Sequence, residues 1–104
     1  MDQKTAIETV ERFKEALESA NVQVERLILF GSHATNTARE DSDIDVVVIS
    51  PSFADKGYWE RIDILSEAIY HVFAPIEASA FTPEEWQEDK SLLVDYAKDG
   101  MSIT

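Results

Sequence analysis

At 104 residues, with 21 Asp and Glu against 9 Lys and Arg and a net charge of -12, the chain reads as one small acidic domain over 1–104. A surface of that sign repels phosphate backbones and attracts divalent cations and basic partners, which excludes direct nucleic-acid binding through a basic face. With no Cys, disulfides and thiolate metal sites are excluded; the opening stretch has no signal-peptide pattern and no apolar run reaches membrane-span length, so the expected setting is cytoplasmic, with no membrane.

Residues 3 to 19 carry Ala6, Val10, Phe13 and Leu17, followed by Ala20, at spacings of three and four, the pattern of an amphipathic helix. The run Leu27 to Phe30, closed by Gly31, suits a strand covered on both faces, and Val46 to Ile49, stopped by Ser50-Pro51, repeats that grammar. Both read as central strands. Tyr58, Ile62, Leu65, Ile69 and Val72 fall on one helical face, with Pro75 marking that helix as finished. The stretch from Pro75 to Phe81 alternates and is a weaker third strand. Thr82, Pro83 and Glu85 form a helix start with a capping box, after which Trp86, Leu93 and Tyr96 define one last helix stopped at Gly100. The order of elements predicts a small α/β (α+β) domain with a mixed sheet.

The stretch between the two central strands carries the chemistry. Gly31 lets the backbone turn sharply against a ligand, and Ser32 opens a turn whose free N–H groups can meet an anion. Asp43 and Asp45, two apart on an extended segment, point to one side of the sheet, where hard carboxylate oxygens suit Mg2+. Glu77 is the acidic candidate in the next strand and would complete a three-carboxylate set if the strands lie side by side. Such a set beside a phosphate-cradling turn suits phosphoryl or nucleotidyl transfer, where catalysis is mostly positioning and charge neutralisation. An EF-hand is excluded, since Val46 stands where the loop needs Gly and Ser52 where it needs Glu. A Walker A loop is excluded by the missing Lys and spacing. A plain turn-capping role for Ser42 and the aspartates remains open at this level.

The run from Gly31 to Val48, GSHATNTAREDSDIDVVV, resembles the signature of the DNA polymerase β-like nucleotidyltransferase superfamily: Gly-Ser after a strand, then Ser-Asp-x-Asp opening the next. Length and layout are similar to the minimal nucleotidyltransferases found as antitoxin partners of HEPN-domain proteins. That resemblance implies a polymerase β palm-like fold and contacts from Gly31, Ser32 and Ser42 to the nucleotide. It further implies Mg2+ on Asp43, Asp45 and Glu77, and transfer of AMP from ATP to a tyrosine of a HEPN toxin. This chain departs from the family at His33, where a basic residue commonly follows Gly-Ser, at Asn36, where Gly is common, and at Glu77, where the third carboxylate is often Asp. Asn tolerates left-handed backbone and can preserve the turn.

The competing expectation is a binding module, acidic and weakly active or silent, that neutralises a basic partner by masking it. His33 is expected to face solvent, Arg39 to reach a phosphate or pair with a neighbouring acid, and His71 to be structural. Tyr58, Trp59, Trp86 and Tyr96 match core spacing, and any left exposed would mark a partner surface. Homodimer and hetero-oligomer both stay open.

Overall fold

The computed structural model describes residues 1–103. Helix α1 spans Gln3–Ser19; the Asp2 carboxylate accepts the Thr5 N–H at 2.8 Å and so caps a backbone donor that the helix leaves free. Strand β1 (Arg26–Phe30) leads into a 3₁₀ turn, Gly31–His33, and β2 (Ile44–Ile49) follows. Helix α2 (Tyr58–Val72) ends on Phe73, a left-handed cap at φ 56°, and β3 spans Ile76–Phe81. Two short helices, α3 (Pro83–Glu88) and α4 (Leu92–Ala97), precede a two-residue strand, β4 (Met101–Ser102).

The sheet runs β3-β2-β1-β4, with β1 antiparallel to both β2 and β4 and β3 parallel to β2. β1 and β2 are therefore central, as their unbroken apolar runs require. On one face Leu27, Leu29, Ile44, Val46 and Val48 bury themselves against α1 and α2. On the other, Ile28, Phe30, Val47 and Ile49 pack with Ala97, Trp86 and Leu93. Each fully buried Val, Leu or Phe side chain stabilises these layers by roughly 1.5–3 kcal/mol. No helix among the described residues is long and apolar enough to cross a membrane.

Three expectations change. The single last helix is two, because Asp89 is extended and the Ser91 hydroxyl caps a new helix by accepting the Val94 N–H. Gly100 does not stop that helix, which ends at Ala97; instead it lets the chain pass Leu29, whose carbonyl oxygen would lie 2.5 Å from an added Cβ. Tyr58, Trp59 and Tyr96 are not core: they are 69%, 72% and 67% exposed.

Candidate functional site

The parallel pairing of β2 and β3 sets the site. Asp45 is the register partner of Glu77, and on the other side of β2 it faces Phe30, the last residue before Gly31. Alternation along β2 puts Asp45 on the same face as Val47 and Ile49, and alternation along β3 puts Glu77 with Phe81. Asp43 lies two residues before Asp45, and its neighbour Ile44 donates its N–H to the Pro75 carbonyl at 2.8 Å, locking the mouth of β2 to the start of β3. Asp43 and Glu77 are exposed and Asp45 is half-buried.

Gly31 has φ 77°, and a Cβ built there would sit 2.5 Å from Asp45 Oδ2. The turn and the second aspartate are thus in direct apposition, and a side chain at Gly31 would have to push the Asp45 carboxylate aside and adopt a left-handed φ. Burial pushes the Asp45 carboxyl above its ordinary range, and repulsion from Glu77 and then Asp43 adds to the rise; the nearby His33 ring works in the opposite direction. Asp45 therefore lies near enough to Glu77 and Asp43 to feel their charge. A cation beside Asp45 would relieve that repulsion.

The remaining predicted residues hold the loop in place. The Ser42 hydroxyl accepts the Arg39 N–H at 2.9 Å, while the Ser32 carbonyl accepts the Thr37 N–H at 2.9 Å. Asn36 has φ 58°, so it does take the left-handed geometry that Gly would otherwise supply. Arg39 is exposed and takes part in no ion pair among the described residues. His71 is exposed at the end of α2, its ring edge-on to Tyr70. His33 overturns its expectation: it is 1% exposed, and its Nε2 lies 3.3 Å from the Ser42 carbonyl, which can only accept, so that nitrogen carries the proton. Its Nδ1 is buried without a partner among the described residues. The Gln3 side-chain amide donates to the His33 and Ala34 carbonyls at 3.1 and 3.0 Å, tying the turn to α1. Neither contact was readable in sequence, because a three-residue turn has no periodicity to show which way a side chain points.

The sequence matches the nucleotidyltransferase domain family over residues 10–98. The chain belongs to that family. A crystal structure of a candidate nucleotidyltransferase from Sulfolobus solfataricus has the same fold, with a TM-score of 0.71 and 19% identity over 96% of this chain and 80% of that one. No curated protein sequence gives a significant match.

A nucleotidyltransferase of this layout has hard oxygen donors of the kind Mg2+ takes. Among the described residues no three His, Asp or Glu side chains converge as a metal cage of their own. Mg2+ does not need one, since it keeps several waters and is usually held by one or two carboxylates together with substrate phosphates. Asp43 and Asp45 opposite the Gly31–His33 turn fit that mode. A cavity of about 520 Å³, lined in part by Phe30, Gly31, Thr35 and Tyr96, opens beside the turn of this nucleotidyltransferase.

Proposed function

We propose that this nucleotidyltransferase transfers AMP from ATP, with Mg2+, to the hydroxyl of a tyrosine on a HEPN-domain toxin, and so acts as its antitoxin. The observation that carries the reading is the pairing of Asp45 with Glu77 across β2 and β3, two residues past Asp43, at a point where Asp45 abuts Gly31. In the reaction the acceptor oxygen bonds to the α-phosphorus of ATP, the bond from that phosphorus to the α–β bridging oxygen breaks, and pyrophosphate leaves with the electron pair. N–H groups of the Gly31–His33 turn and the Ser32 hydroxyl hold the outer phosphates, and the loop closed by Ser42 keeps the turn facing the aspartates. Asp43 and Asp45 would supply the carboxylates for Mg2+, which when bound neutralises phosphate charge and acidifies the attacking hydroxyl. Glu77, exposed on the outermost strand, receives the proton.

Incubation with labelled ATP, Mg2+ and the HEPN protein tests this reading. The partner should become labelled by the wild type, and Asp43→Asn should abolish the label; equal labelling by the variant rejects the mechanism. Masking is the second reading. Support for it comes from the outer face of α2, where Trp59, Tyr70 and Phe73 are 72%, 77% and 88% exposed and Phe73 is held at positive φ. Protection from the toxin that survives Asp43→Asn combined with Asp45→Asn would favour masking.

A further inference from the structure

Strand β3 is an edge of the sheet, and its hydrogen-bond parity fixes which of its groups face outward. The Pro75 carbonyl accepts from Ile44 and the Phe81 carbonyl from Ser50, so the alternation of a parallel pair turns Glu77, Ser79 and Phe81 toward β2. Ala78 and Ala80 then direct their N–H and C=O groups away from the sheet, and no backbone or side-chain partner meets them among the described residues. Natural edges are usually blunted by Lys, Pro, a bulge or a covering element. The run from Ile76 to Phe81 has no Lys or Pro, its register with β2 is unbroken, and its outward residues are small. Alongside it lies a groove of about 510 Å³ whose apolar wall includes Ile62 and Leu65 from α2, Leu93 from α4, and Ala78, Ala80 and Phe81.

We infer that the acceptor protein docks as an extended segment on this free edge, adding a strand to β3 in the groove between α2 and α4, with its reactive hydroxyl beside Glu77. The inference rests on the nucleotidyl-transfer reading for what the docked segment receives. Strand addition supplies main-chain hydrogen bonds for affinity, and the groove reads alternate side chains. Glu77 lies on the same strand, one residue before Ala78, so a segment in register with the edge passes the carboxylates without any rearrangement of the sheet. Charge selects the occupant. A second copy would bring another net charge of -12 against an edge whose flanking α3 carries the exposed Glu84 and Glu88, Glu85 being paired with Arg61, whereas a segment ending in basic residues is attracted.

The test titrates the isotope-labelled whole protein with a short peptide that alternates valine and threonine about a central tyrosine and ends in lysines. Backbone amides are followed by NMR and hydrogen exchange. The Ala78 and Ala80 amides should shift, and their exchange should slow by roughly tenfold or more, while the same peptide N-methylated at alternate residues should do neither. Ala80→Pro removes an outward N–H and leaves the inward pairing of Ser79 and Phe81 intact, so it should lose peptide binding. If that variant does not fold, the N-methylated peptide decides. Shifts confined to the aromatic face of α2, no shift at all, or self-association through β3 would overturn the docking mode. Adding labelled ATP and Mg2+ separates the two readings: protection at Ala78 and Ala80 without labelling of the peptide tyrosine keeps the docking and rejects nucleotidyl transfer to it. Labelling that persists with the N-methylated peptide rejects the docking and keeps the transfer.

Discussion

Two charged regions lie at opposite ends of β3 and obey opposite rules. At its start, Asp43, Asp45 and Glu77 hold like charges close together with no ion pair among the described residues, and Asp45 is pushed above its ordinary range by burial and repulsion, which the His33 ring only partly offsets. Just past its end, Arg61 grips Glu85 with two contacts of 2.6 and 3.1 Å and gives its other donors to the Phe53 and Lys56 carbonyls at 2.8 and 3.0 Å. Glu85 also accepts the Thr82 N–H at 2.9 Å, and hydrogen bonding from Arg61 above all holds its carboxyl below the usual range. The second region satisfies itself and joins α2 to α3. The first leaves repulsion at Asp45 that a bound cation would relieve.

Removing one carboxylate from the first region should give the largest effect. Asp45→Asn should slow AMP transfer by about a thousandfold, near 4 kcal/mol of barrier, as read from initial rates with labelled ATP. The same change should stabilise the metal-free protein at neutral pH. Asp45 has a folded value above its unfolded one, so its charged form is penalised above that value and the penalty disappears as pH falls through it. Thermal melts across the acid range should show the variant's advantage closing on acidification.

Gly31→Ala is next. Its Cβ must displace the Asp45 carboxylate and sit at φ 77°, so stability should fall by roughly 1–2 kcal/mol and transfer by more than that strain alone implies. Denaturant titration and rate measurements on the same preparation check both. Glu85→Gln should cost about 1 kcal/mol or less, because the Glu85 side chain is 46% exposed and solvent screens the pair. Glu85 has a folded value below its unfolded one, so its contribution is present above the ordinary carboxylate range and is lost as pH falls through the lowered value. Mg2+-dependent ATP binding should be unchanged, which separates clamp from site. Smallest of all, Trp59→Ser should move stability by no more than about 0.5 kcal/mol, since that ring is 72% exposed.

Much of the fold was legible because its signals were periodic or strongly local. The spacing of Ala6, Val10, Phe13 and Leu17 marks α1, all four being fully buried, and the unbroken runs of β1 and β2 required strands covered on both faces. The Thr82 capping box is present with both of its bonds. What stayed hidden was short or tertiary. Met101–Ser102 is too brief for a period of two to appear, and the new start at Ser91 was masked because Trp86, Leu93 and Tyr96 keep helical spacing across it. The helical face through Ile62, Leu65, Ile69 and Val72 is real, but Tyr58 and Trp59 project into solvent, which spacing alone does not reveal. At the site, the Gly-Ser turn and the alternation of Asp43 and Asp45 were readable, whereas the register of Asp45 with Glu77 and the inward turn of His33 depend on how strands and loop meet in space.

On the proposed function the aspartates and the Gly31 turn form one metal-dependent nucleotide site. Calorimetric titration of ATP into the protein, with and without Mg2+ and in parallel for Asp43→Asn, tests it most directly. The wild type should bind ATP tightly only with Mg2+, and the variant should lose this Mg2+-dependent gain. Equal affinity with and without the metal, or an undiminished gain in Asp43→Asn, would contradict it.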